Sequence, residues 1–174
     1  MAITVSMFDV MADWLTVPLL NHEGGRTPKR VGLAHPSIAP YGVFETKDGK
    51  QILISIQSDR EWGKLCEHVL GDVSLSHDPR FASNVNRVDH RDLTDKIVAE
   101  AFLQRSSDQA LADLAKADVA FALLNDMAGL SVHPELRRIT VETPNGPVTY
   151  PAPASRFDGA TRPVGPVPEL DEGV

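Results

Sequence analysis

The segment His35-Pro36-Ser37-Ile38-Ala39-Pro40-Tyr41 holds the most suggestive chemistry in the chain. It brings an imidazole, a hydroxyl and a phenol together on a backbone stiffened by two prolines, just before a strand. A rigid loop of this kind is a platform for contacting a ligand held by another domain. A plain connector, its prolines fixing the approach to the strand, explains the same residues and is the simpler reading on residue types alone. The other histidines, His22, His68, His77, His90 and His133, stand in no HxxxH or HExxH spacing. No pair of imidazoles would therefore share a helix face, and no metal site is expected. There is no GxSxG elbow, and Gly24-Gly25 is followed by neither a phosphate loop nor a Lys-Ser or Lys-Thr pair. Cys66 falls beside Trp62 and Val69 on the inner face of an expected helix, where a thiol is inert because apolar surroundings oppose the thiolate. Arg80, Arg87 and Arg91 are of a type that meets phosphates or carboxylates, but they read more simply as ordinary ion pairs on a solvated face. By chemistry alone the chain contains no complete active site.

The elements that position these residues follow from periodicity and turn chemistry. Val5, Phe8, Met11, Ala12, Leu15 and Leu19 recur at three and four, predicting a helix over 5–20 capped by Ser6, with its last turn weakened by Pro18. A strongly amphipathic helix with nothing before it needs a surface supplied from elsewhere. Residues 21–40 read as a long connection punctuated by Gly24, Gly25, Pro28, Gly32, Pro36 and Pro40. The runs 41–46 and 51–56 flank Lys47-Asp48-Gly49-Lys50, a strong hairpin signal because Asp and Gly both tolerate positive φ. Ser58 and Glu61 form a capping box for a helix ending at Gly71. A further helix is expected from Asn84 or Asn86 through Gln104, and a third from Ser106. Residues 119–124 read as a short buried strand, Pro134 as the opening of a short helix, and 138–142 with 148–150 as a hairpin around Asn145-Gly146. Residues 144–174 hold 7 of the 13 prolines and 4 of the 12 glycines. They read as an extended strap over another surface, frayed at its last few residues.

Composition limits the function classes. With 17 basic and 24 acidic residues in 174, the net charge is −7, which argues against a general nucleic-acid binder. One cysteine excludes an internal disulfide and a multi-Cys zinc site, and it fits a reducing compartment. No apolar run reaches the ~20 residues that cross a bilayer. The first residues carry no basic stretch, so no secretory signal is expected and the cytoplasm is the expected location.

Read together, the runs HPSIAPYGVFETKDGKQILIS, EWGKLC, DPRFASNVNRVDHRDL and HPELRR are similar in order and spacing to the carboxyl-terminal half of family III CoA-transferases, the CaiB/BaiF family. ITVSMFDVMADWL resembles the helix that follows that family's catalytic domain. The resemblance implies an α/β fold in two domains, forming an interlocked dimer. This chain would supply the α+β small domain of β-hairpins and several helices, without the Rossmann-like large domain. It implies residues 1–40 as a connecting helix and long loop, 41–140 as the small domain, and 141–174 as a hairpin and Pro-rich strap returning to the large domain.

Members of the family move CoA between carboxylic acids through an anhydride and a thioester on one Asp of the large domain. No Asp here matches that position, so the resemblance carries over no catalytic residue. It implies a CoA thioester as substrate with no permanently bound cofactor, and a large catalytic domain or partner chain, as a homodimer or a hetero-assembly. The family's substrate-side loop falls at 35–41. Oxalate-type members are glycine-rich there. The sequence here looks more like members that handle C4–C5 dicarboxylates such as mesaconate, itaconate or citramalate. On that basis His35, Ser37 and Tyr41 are candidate acyl-pocket contacts and Met7 a candidate CoA neighbour. A non-catalytic binding or assembly module, and part of an acyl-CoA racemase of the same fold, are the alternatives.

Overall fold

Local turn chemistry builds the centre of the fold. The computed structural model describes residues 3–161 and 163–169. The chain divides into two units, 1–124 and 125–174. Strands β1 (Tyr41–Glu45) and β2 (Gln51–Ser55) pair antiparallel, with Phe44 opposite Ile52 and Tyr41 opposite Ser55. The expected hairpin is present with a different turn. Only Gly49 takes positive φ (73°), and the Thr46 N–H donates to Lys50 O, leaving Lys47, Asp48 and Gly49 as a three-residue loop. One glycine in the left-handed region suffices for this connection, so Asp48 is free to use its carboxylate elsewhere. Strand β3 (Ala120–Leu123) joins the other side of β2 antiparallel, giving the order β1-β2-β3. It is a strand as expected but not a buried one: Ala120, Phe121 and Ala122 are exposed, because only one neighbour covers this edge.

Helices cover one face of the sheet. Ser58 and Glu61 cap α3 (Asp59–Leu65) reciprocally, as the sequence predicts. The helix continues into a π turn, Cys66–Leu70, and stops at Gly71 with φ 70°. A short 3-10 turn follows at Val73–Ser76. The expected helix from Asn84 is two helices: α4 (Asn84–Asp89), capped by Ser83 rather than by an Asn, and α5 (Arg91–Leu103). His90 leaves helical geometry between them, with φ −106° and ψ 32°. The capping box of Ser106 and Gln109 starts α6 (Ser107–Ala117). Val98 and Phe102 on α5, Leu114 on α6, and Trp62, Leu65, Cys66 and Val69 all reach zero exposure against Ile52 and Ile54. Each fully buried side chain of this kind contributes roughly 1.5–3 kcal/mol relative to exposure.

The chain before the sheet is different. The expected single helix is α1 (Met7–Trp14) and α2 (Thr16–Glu23), neither of which buries a residue. Ser6 does cap α1, its hydroxyl accepting from the Asp9 N–H at 3.3 Å. The break at Leu15 follows from Pro18, which has no N–H to continue the ladder and would clash with the carbonyl one turn back, at Trp14. Placed in the first turn of α2, Pro18 leaves no missing bond.

In the second unit α7 (Met127–Ser131) is capped by Asp126, which accepts from the Gly129 N–H at 2.8 Å. It replaces the helix expected at Pro134, which lies in a turn instead. Strands β4 (Arg138–Val141) and β5 (Val148–Pro151) form the second expected hairpin, with Gly146 at φ 101°. The tail adds a two-residue pairing, β6 (Arg156–Phe157) with β7 (Ala160–Thr161). The expected fraying of the last residues lies outside the described residues.

Candidate functional site

The loop 35–41 brings its three candidate side chains together. The His35 and Tyr41 rings stack with centroids 5.3 Å apart and planes 23° from parallel. The Ser37 N–H donates to His35 Nδ1 at 3.2 Å, and the Ser37 hydroxyl lies 3.4 Å from the same nitrogen. A backbone N–H can only donate, so this bond requires Nδ1 without a proton and places the ring proton on Nε2. Among the described residues, His35 Nε2 and the Tyr41 hydroxyl have no hydrogen-bond partner, so both are free to donate outward. Met7, the candidate CoA neighbour, is on α1 and not on the loop, and is 85% exposed.

The loop is tied down at nearly every carbonyl. The His35 N–H donates to Tyr41 O at 3.0 Å, closing it into a ring-like turn, and Ala39-Pro40 is a cis peptide. Asn84 accepts from the Ala39 N–H at 3.1 Å and donates to Ser37 O at 2.9 Å. Arg87 donates to Ala39 O at 2.7 Å, to Phe81 O at 2.8 Å and to Asp59 Oδ1 at 2.9 Å. One nitrogen of Arg91 donates both to His35 O at 2.7 Å and to Ile38 O at 2.8 Å.

These bonds correct the expectation that Arg87 and Arg91 face solvent in ordinary ion pairs. Arg87 is completely buried, its guanidinium 5.2 Å above the Trp62 ring, and burial lowers its pKa while Asp59 opposes that fall. Arg91 is 3.6 Å from Asp95, whose carboxyl is pushed up by burial against the opposing charge of Arg91. Arg80 does behave as expected, in a surface pair with Asp78 at 2.7 Å. A sequence signal for the missed role exists: residues 84, 87 and 91 are spaced three and four apart, the spacing of one helix face, although the structure divides them between α4 and α5. Nothing local says that the stripe faces a loop some fifty residues earlier.

Cys66 has the environment its neighbours imply. It is fully buried, and burial pushes the thiol up to about 12, far from a reactive thiolate. Asp48, freed by the hairpin geometry, accepts from the Thr46 hydroxyl at 2.7 Å and from the Ser107 N–H and hydroxyl at 2.9 and 2.8 Å. Those bonds hold its carboxyl down at about 2. Among the described residues no group of three His, Cys, Asp or Glu side chains could hold a metal ion, and no helix is long and apolar enough to cross a membrane.

The model of CoA-transferase family III matches residues 1–173. The chain is 30% identical over 173 residues to the acetyl-CoA:oxalate CoA-transferase of Acetobacter aceti, covering 98% of this chain and 44% of that protein. It is 29% identical over 151 residues to the succinate–glutarate CoA-transferase of Agrobacterium fabrum, covering 84% and 37%. The crystal structure of a CaiB/BaiF family protein from Brucella suis superposes with a TM-score of 0.70 at 33% identity, covering 96% of this chain and 44% of that one. The chain thus spans less than half the length of these relatives, and its mixed helices and small antiparallel sheets reproduce part of their fold. A match across nearly every residue, joined to a shared fold at 33% identity, places the chain in CoA-transferase family III.

Proposed function

We propose that this chain is the small-domain part of a CoA-transferase that exchanges CoA between carboxylic acids, one of them a C4–C5 dicarboxylate such as mesaconate, itaconate or citramalate. Residues 41–140 form the small domain, with 1–40 as a linking segment and 141–174 as a strap returning to a large domain. The observation that supports this most is the family match over residues 1–173. The name of one relative, which specifies succinate and glutarate, supports a dicarboxylate of this size.

In this reading a Rossmann-like large domain, or a partner chain that carries one, supplies the carboxylate that carries the acyl group and then CoA. His35 Nε2–H, the Ser37 hydroxyl and the Tyr41 hydroxyl form one wall of the acyl pocket. They offer neutral donors to the free carboxylate of the substrate, where hydrogen bonds to a charged acceptor are the stronger kind. Met7 flanks the CoA. CoA enters and leaves as substrate, with no resident cofactor, and the assembly works in the cytoplasm.

The exposed apolar faces of α1 and α2 favour a second reading, a non-catalytic assembly module. Native mass spectrometry of the protein purified gently from its host separates the two, followed by an assay of CoA transfer from succinyl-CoA to mesaconate. The transferase reading expects a Rossmann-like domain alongside these residues, in a longer protein or on a co-purifying chain, no turnover by the 174 residues alone, and turnover by the two parts together. Turnover by this chain alone, lost on substituting one of its own residues, overturns the division of labour. Assembly without turnover of any dicarboxyl-CoA leaves the module.

A further inference from the structure

We propose that Arg91, seconded by Asn84 and Arg87, is a positioning residue that sets the donor face of the 35–41 loop before any ligand arrives. The inference rests on the reading of that loop as an acyl-pocket wall, and it adds the residues that give the wall its shape. A seven-residue loop with two prolines has few backbone donors of its own to fix it, because Pro36 and Pro40 carry no N–H. Its carbonyls must therefore be held from outside. Residues 84, 87 and 91 do this together: Asn84 takes Ser37 O, Arg87 takes Ala39 O, and Arg91 takes Ile38 O together with His35 O.

Arg91 has the central part. Its two acceptors are the carbonyl of His35, which carries the imidazole, and that of Ile38, three residues on, so one guanidinium nitrogen fixes the separation of the two limbs of the loop. With that separation set, the Ser37 N–H reaches His35 Nδ1 and His35 stacks on Tyr41. Arg91 therefore selects the Nε2–H form of the ring, and with it a donor rather than an acceptor for the ligand. The Arg91 Nη1 atom and Asp95 Oδ1 are buried without hydrogen-bond partners, and the two side chains are 3.6 Å apart. The guanidinium is thus spent on the loop while its counter-charge stays behind it. A lysine could not serve: a single ammonium on a flexible stem lacks the rigid planar fork that spans the loop and Asp95 together.

The test is amide hydrogen exchange and His proton NMR on the purified chain, for the wild type and for Arg91→Met, Arg91→Lys and Asn84→Ala, with Arg80→Met as control. The expected result for Arg91→Met is exchange of the Ser37 and Ala39 amides faster by about tenfold or more, while core amides such as Val98 stay protected. The ring-current displacement of the His35 protons by Tyr41 should fall with it, a signature that a general loss of stability would not move while the core is intact. Arg91→Lys should resemble Arg91→Met rather than the wild type, and Arg80→Met should change nothing in the loop. Unchanged Ser37 and Ala39 exchange with an unmoved His35 signal in Arg91→Met overturns the proposal. If Arg91→Met does not fold, Arg91→Lys decides: unchanged Ser37 exchange with an unmoved His35 signal in that variant overturns the proposal equally. Loosening of the loop in a protein whose His35 signals ignore succinyl-CoA and mesaconyl-CoA, with or without a Rossmann-like partner, supports the positioning role and brings down only the acyl-pocket reading.

Discussion

Helices α1 and α2 are richer in large apolar side chains than α5 and α6, yet their fates are opposite. Met7, Phe8 and Trp14 are 85%, 80% and 76% exposed, while Val98, Phe102 and Leu114 are completely buried. The same kind of amphipathic periodicity produced both. Periodicity decides that a helix has an apolar face; it does not decide what covers that face. For α5 and α6 the cover is a shared core that joins Phe44, Ile52 and Ile54 of the sheet to Trp62, Leu65 and Val69. For α1 no described residue provides it, and an exposed apolar surface of this extent marks an interaction site.

Three changes sharpen that comparison. The largest effect is expected inside the covered region, from Arg87→Ala. The change strands the carbonyls of Ala39 and Phe81 and opens a hole beneath Trp62, so chemical denaturation should show a loss of about 3–5 kcal/mol. A loss under about 1 kcal/mol would mean that the buried guanidinium is replaceable by water, and that the region is less tightly built than its burial implies. A smaller effect is expected at the rim of the same region. The Asp48 carboxyl is held at about 2, below the ordinary 3.8, so its contribution to stability is complete above pH 3.8 and disappears as the pH falls through about 2. Asp48→Asn should flatten that part of the curve of melting temperature against pH, and an unchanged acid limb would assign the limb to other carboxylates. The smallest effect is expected in the uncovered region: Phe8→Glu should alter the stability of the chain by about 0.5 kcal/mol or less. A loss of more than about 2 kcal/mol would show that α1 is covered within the chain after all, and would erase the contrast.

What the sequence disclosed follows the range of the interactions concerned. The capping boxes at Ser58 and Ser106 and both hairpins were legible because each is settled within a few residues. The helix at Met127 carries the same kind of mark, an Asp126 cap, but Pro134 is an equally local signal for a later start. The role of Arg87 was out of reach, since its loop and helix partners are 48 and 28 positions away and its surroundings read as a polar helix face. The candidate site shows both cases. His35, Ser37 and Tyr41 could be picked from residue type and proline stiffening, and the structure gathers them. The stripe that holds them could not, because a helical arginine looks the same whether it meets solvent or a distant carbonyl.

Cys66 offers a different use of the covered region. It is the single thiol of the chain and lies fully buried in the core beside Trp62 and Val69. A disulfide reagent can reach it only while the core is open, so the rate of labelling is a clock for opening events. The protein therefore contains a stopwatch that needs no engineered probe. Comparing its pace in the lone chain with that in any assembly measures how much assembly steadies the core.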